Sequence, residues 1–187
     1  MKQTHPATNA AVPRTQRHPD AGDYILFWSI SLLGVGLDLW SKHAVFAWLK
    51  NVPSQDYSLI DNFLQFILRE NTGAAFSLFS GMKWMFVAIS ILAMIVLVVL
   101  FFRGKLTPRL TLAALACMNA GILGNLYDRL FNEGRVRDFI DVYVGSYHWP
   151  TFNVADSLLC IGVAILLIAS FTTPTGQTPA EPQTKAS

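Results

Sequence analysis

Residues 136–157 read Val136-Arg-Asp-Phe-Ile-Asp-Val-Tyr-Val-Gly-Ser-Tyr-His-Trp-Pro-Thr-Phe-Asn-Val-Ala-Asp-Ser157. A strand-like run leads into a turn-rich middle, and then a polar Asn153-Val-Ala-Asp156 opens an apolar segment. Strict alternation puts Val136, Asp138, Ile140, Val142 and Val144 on one face, and Arg137, Phe139, Asp141 and Tyr143 on the other. Asp138 therefore shares an apolar face, where lost hydration favours the protonated acid. Pairing with Arg129 or Arg137 is the plain structural alternative. Asn153 followed three residues later by a carboxylate has the form of a helix-capping box, which gives Asp156 a structural role of its own. A helix N-terminus also favours an ionised carboxylate. Two carboxyl groups pushed apart in this way suit a general acid and a general base.

The surroundings are those of a membrane protein. Of the 187 residues, 52% are hydrophobic and 14% charged, against about 25% charged in soluble domains; mean hydropathy is +0.39. A dispersed net charge of +2 gives no electrostatic footprint for nucleic acid. Cys117 and Cys160 stand in apolar runs without a CxxC neighbour and read as reduced core thiols. His5, His18, His43 and His148 show no paired metal-ligand spacing, so neither a metal nor another cofactor is expected.

The expected fold class is an all-α membrane core of four transmembrane helices with a small β-containing subdomain on the outer surface. Spans are expected at about 24–41, 84–102, 110–126 and 153–171, each near the length that crosses a bilayer. The first apolar run lacks a cleavage motif and reads as a retained span rather than a signal peptide. Residues 43–82 and 127–151 would form the outer subdomain, with Leu59–Leu68 as strand material on the membrane surface and a turn at Asn71–Gly73. Residues 1–23 and 172–187 are Pro-rich polar tails expected to be disordered and cytoplasmic. Lys2, Arg14 and Arg17 in the first tail, with Arg103, Lys105 and Arg109 in a short loop, place the termini and that loop inside. Every polar cluster then meets the outer boundary. Asp38 and Lys42 share a helix face at the end of span one, as an interfacial pair with the lysine snorkelling. Asn71 and Gly73, then Asn125, Asp128 and Arg129, then Asn153 and Asp156 follow. Small residues around Gly121 and Gly124 suit close helix packing, and an Asp128–Arg129 pair is the plain reading of that helix end.

These clusters, in order, are Asp38-x-x-Ser-Lys42, Asn71-x-Gly-Ala-Ala-Phe76, Gly124-Asn-x-x-Asp-Arg129, Val136-x-Asp-Phe-x-Asp141 and Phe152-Asn-x-Ala-Asp156. Together they resemble the lipoprotein signal peptidases (signal peptidase II). The resemblance implies an aspartic endopeptidase of the bacterial inner membrane that cuts diacylglyceryl-modified prolipoproteins just before the lipidated cysteine. It implies Asp138 and Asp156 as the catalytic pair at the periplasmic boundary. Asn71, Gly73, Asn125, Asp128, Arg129 and Asn153 would line or support the site, with Asp38 and Lys42 as structural polar residues nearby. Ala120-Gly121 departs from a glycine pair common in the family. Prolipoproteins and membrane phospholipid are the implied partners, and a monomer is expected. The rival reading is a proton-coupled transporter, since intramembrane carboxylates often mark ion paths; it expects charge near the bilayer midplane rather than at one boundary.

Overall fold

The computed structural model describes residues 18–73, 79, 81–103 and 109–172. The expectations for most of both tails, for loop residues 104–108 and for Ala74, Ala75 and Phe76 fall outside the described residues. The chain forms four long helices, α1 (Ala21–Leu49), α2 (Lys83–Phe102), α3 (Arg109–Phe131) and α4 (Val154–Thr172). Four strands accompany them: β1 (Asp56–Ile60), β2 (Leu64–Asn71), β3 (Val136–Val144) and β4 (Tyr147–His148). Each helix is long and apolar enough to cross a membrane.

Two helices overrun their expected ends. α1 starts at a capping box between Asp20 and Asp23 and continues past Lys42 to Leu49. Asp38 and Lys42 do not end it, because each finds a buried partner, and Ala44 to Leu49 contain no helix breaker. α3 runs on through Tyr127–Phe131, which read as surface chain. It stops where Glu133 and Gly134 adopt φ of 51° and 88°. Gly134 is required there twice over, since a Cβ would also strike the Lys83 side chain.

α3 is the central helix, with α1, α2 and α4 packed around it. Small residues let the backbones approach. Gly121 lies against the Ala155 carbonyl and Leu159, and Gly162 against Met118 and the Ala114 carbonyl. Ala120 is fully buried with Gly34 of α1 opposite its methyl, so the missing second glycine of the pair is compensated across the interface. At the end remote from the sheet, Phe27, Leu97, Phe101, Leu112, Leu115 and Ala116 form the apolar core. α2 and α4 leave rows such as Ile89, Leu92, Val96, Val163 and Leu167 uncovered, the surface a bilayer would cover. Cys160 is exposed on α4 rather than buried, and Cys117 is half-buried; both are free.

The four strands make one antiparallel sheet in the order β1-β2-β3-β4. The apolar run 59–68 is strand material, folded as a hairpin between β1 and β2. It folds at Asp61–Phe63, where Asn62 takes a φ of 59° and Ser58 donates to Asp61 at 2.8 Å. β3 follows α3 through a tight turn, and Phe152, just before α4, pairs with Ile140.

Candidate active site

The site is built where α1, α3, β3 and the start of α4 meet. Asn153 caps α4: its Oδ1 accepts the Asp156 backbone N–H at 3.0 Å, and its own backbone N–H donates back to Asp156 Oδ2 at 3.2 Å. This is the reciprocal box expected from the sequence. The same Asn153 side chain donates to Asp138 Oδ1 at 2.6 Å. One residue thus holds both carboxylates, one through its side chain and the other through its backbone. Asn71 donates to Asp138 Oδ2 at 3.2 Å, and Asn125 donates to Asp156 Oδ1 at 2.8 Å. Asp138 is 3% exposed. It forms no ion pair with Arg129 or Arg137. Burial first, and then the neighbouring Asp156 charge, push its carboxyl up to about 7.

Beneath the pair lies a buried ion network. Lys42 is fully buried rather than snorkelling; its Nζ lies 2.7 Å from Asp38 Oδ2, 3.0 Å from Asn125 Oδ1 and 3.3 Å from Asp128 Oδ2. Asp38 Oδ2 has no well-angled hydrogen bond and is held by the lysine charge, while Oδ1 accepts the Ala155 N–H at 2.8 Å in the first turn of α4. Asp128 does not pair with its neighbour Arg129. The Arg137 Nε and Nη2 fork grips its Oδ1, and the Arg137 backbone N–H reaches its Oδ2 at 2.9 Å. Arg129 instead donates to the carbonyls of Gly73 (3.3 Å) and Asn125 (3.4 Å), with its guanidinium over the Phe86 ring. Its charge acts on Asp156, Asp138 and Asp128. Gly73 closes an Asx turn by donating to Asn71 Oδ1 at 2.9 Å, which orients the Asn71 amide.

A cavity of about 600 Å³ opens above Asp138, lined among others by Gln65, Arg69, Asn71, Asp141, His148 and Trp149. Asp156 does not line it, so Asp138 is the member of the pair that faces it. Asp138 and Asp141 both border this cavity, against the alternation reading that parted them. The period of two breaks between them. β2 carries one residue more than β3 between the pairs Phe66–Ile140 and Arg69–Asp138. On the other edge, the N–H groups of Phe139 and Ile140 both donate to the Phe152 carbonyl, the signature of a bulge. Asp141 is 1% exposed and accepts from Gln65 at 2.6 Å, with His148 Nδ1 at 2.8 Å. Among the described residues no three His, Cys, Asp or Glu side chains gather to hold a metal ion.

The family model described as signal peptidase (SPase) II matches residues 30–172. The chain belongs to the signal peptidase II family. It is a protease and a multi-pass bacterial membrane protein of that family. A lipoprotein signal peptidase of Francisella tularensis subsp. novicida is 40% identical over 152 residues, covering 79% of this chain and 92% of the relative. The lipoprotein signal peptidase of Rhodopirellula baltica is 39% identical over 166 residues, covering 81% and 74%. That of Serratia proteamaculans is 42% identical over 127 residues, covering 66% and 74%. A solved bacterial membrane enzyme, determined in meso at 2.3 Å, superposes with a TM-score of 0.72 at 31% identity, over 88% of this chain and 97% of that one. Membership in a protease family displaces the transporter alternative.

The structure of this signal peptidase II family member brings all ten sequence-chosen residues into one network: Asp38, Lys42, Asn71, Gly73, Asn125, Asp128, Arg129, Asp138, Asn153 and Asp156. Sequence reasoning missed Arg137 as the clamp on Asp128. It also missed Gln65 and His148, whose bond to Asp141 depends on a register that no local pattern reveals. Gly124 was only part of a motif. In the fold, a Cβ there would overlap the Asp38 carboxylate.

Proposed function

We propose that this chain removes signal peptides from diacylglyceryl-modified prolipoproteins, cutting just before the lipidated cysteine, with Asp138 and Asp156 as one aspartic dyad. The observation that carries the dyad is Asn153, which hydrogen-bonds both carboxylates at once. Asp156 sits in the first turn of α4, where its carboxylate accepts the Asn153 backbone N–H and the Asn125 amide. Asp138, dry and beside that charge, keeps its proton up to about pH 7. Asp156 takes a proton from a water as the water oxygen attacks the scissile carbonyl carbon. Asp138 gives its proton to the carbonyl oxygen, and the charge that develops there is neutralised as it forms. On collapse, Asp156 returns its proton to the departing amide nitrogen, the C–N bond breaks, and Asp138 recovers a proton from the diol. Asn71, Asn125 and Asn153 hold the dyad, Arg129 braces the Gly73 loop, and the cavity above Asp138 receives the peptide.

The enzyme acts as a monomer in the inner membrane, with its termini in the cytoplasm and the dyad at the periplasmic boundary. The basic first tail and the basic 103–109 loop support this orientation. A lipid-anchored substrate stays in the bilayer, and Trp48, Tyr57, Phe63 and Trp149, exposed near the sheet, suit the headgroup layer where phospholipid meets water. The test is cleavage of paired synthetic peptides in detergent–lipid micelles, one with a diacylglyceryl cysteine and one without, with products read by mass. Cleavage of the first alone, at the bond before that cysteine, is expected. Equal cleavage of both would refute lipoprotein specificity.

A further inference from the structure

We propose that Lys42 is a positioning residue: it sets which way round the Asn125 amide sits, so that Asn125 presents its N–H and not its oxygen to Asp156. A side-chain amide has an acceptor end and a donor end of nearly equal shape, and either can face a neighbour unless something fixes it. An ammonium group has three donors and no acceptor. Lys42 donates to Asn125 Oδ1, while the Asp38 and Asp128 carboxylates lie 2.7 and 3.3 Å from its Nζ as ion-pair partners. Asn125 Oδ1 lies 3.0 Å from Nζ, and the opposite end, Nδ2, lies 2.8 Å from Asp156 Oδ1. Turning the amide over would set N–H against ammonium and oxygen against carboxylate, two repulsive contacts where there were two attractive ones.

The other two asparagines follow the same rule with a different guardian. Asn153 Oδ1 accepts the Asp156 backbone N–H, which leaves its NH2 for Asp138. Asn71 Oδ1 accepts the Gly73 backbone N–H, which leaves its NH2 for Asp138 as well. Each amide that touches the dyad is therefore keyed by an obligate donor behind it. Backbone N–H groups key two of them. Asn125 alone is keyed by a charged side chain, with a longer 3.2 Å contact from the Asn153 amide to the same oxygen. This gives a reason for a fully buried lysine that helix packing does not. The Asp38 and Asp128 carboxylates flank its ammonium on either side.

The inference rests on the dyad reading, so wild-type cleavage and its loss in Asp138→Asn are established first; failure there would count against that reading and not this one. Lys42→Met is expected to lower kcat about 10²-fold, the scale of an ångström misplacement in a site, with KM unchanged because Lys42 touches no substrate. Lys42→Arg, which keeps a donor, recovers roughly tenfold of this. The decisive comparison adds Asn125→Asp. Beside Lys42 the new carboxyl ionises and turns an oxygen towards Asp156. Beside the methionine it stays protonated and its O–H can donate. The double variant Lys42→Met, Asn125→Asp is expected to exceed Asn125→Asp alone by about tenfold. A double variant no better than Asn125→Asp, or a Lys42→Met effect confined to KM, would overturn the proposal. Melting in detergent reports whether the Lys42→Met chains fold. Should they not, the wild type decides, through the nuclear Overhauser contacts of the Asn125 side-chain N–H pair in enzyme with isotope-labelled asparagine. Contacts to the Asp156 β-protons are expected, and contacts to the Lys42 ε-protons in their place would overturn it.

Discussion

Gly124→Ala inserts one methyl group where the fold has no room. The new Cβ would overlap Asp38 Oδ2 and lie 3.0 Å from Asp38 Cγ and 3.2 Å from Ala155 Cβ. The Asp38 carboxylate must retreat by about 1 Å to restore ordinary carbon–oxygen contact. It cannot do so freely, because Oδ1 holds the Ala155 N–H at 2.8 Å and Oδ2 holds Lys42 at 2.7 Å. Overpacking a tight interior costs about 1–3 kcal/mol, and weakening a buried charge-assisted hydrogen bond costs about 1.5–3 kcal/mol. A destabilisation of about 3 kcal/mol follows, since the two costs share one displacement and do not add in full. Asp156 follows Ala155 directly, so moving the first turn of α4 also lowers kcat, by about 10²-fold. Gly36→Ala is the control in α1, with nothing within 4 Å of its new Cβ. Replacing an interior helix glycine there should stabilise by up to about 1 kcal/mol. The assay is thermal unfolding in micelles alongside peptide cleavage, for both variants. If Gly124→Ala melts with Gly36→Ala and cleaves at the wild-type rate, the close packing of Asp38 on α3 is wrong.

Three further outcomes are expected. On the proposed mechanism cleavage should fall as pH rises through about 7, because Asp138 is then losing the proton assigned to the scissile carbonyl oxygen. The same group carries a stability signature: its folded value of about 7 lies above the ordinary 3.8, so its contribution is intact below about pH 4 and is lost progressively up to about pH 7. Asp138→Asn should therefore melt higher than wild type at pH 8 and not at pH 4, by at most roughly 4 kcal/mol; equal melting differences at both pH values would contradict the assignment. Asp128→Asn leaves Lys42 and Arg137 facing an amide in place of a carboxylate, and should cost about 3–5 kcal/mol of stability in the same melting assay.

Much of this was legible in the sequence because the bilayer demands long apolar runs, and four are visible. Their ends were harder to place. Asp38 and Lys42 look like the edge of a span, yet α1 continues for seven residues beyond Lys42, to Leu49. What makes that possible is the carboxylate of Asp128 and the amide of Asn125, brought from α3 by tertiary packing. The spacing of four shows that Asp38 and Lys42 can pair; it is silent on whether the pair is wet. The capping box at Asn153 was readable because its partners are three residues apart. The faces of Asp138 and Asp141 were not, because a bulge against Phe152 and an extra residue in β2 break the alternation between them. Ala120 looked like a departure from a glycine pair and is explained only by Gly34 on another helix.

The central claim is that two carboxylates, Asp138 and Asp156, do the chemistry together. Single-turnover cleavage of a diacylglyceryl-modified prolipoprotein peptide by wild type, Asp138→Asn and Asp156→Asn tests it most directly, with folding verified by melting and a chelator in a parallel sample. The account predicts that each variant alone loses at least about 10²-fold in rate, while wild type is indifferent to the chelator. Wild-type rates in either variant would contradict it.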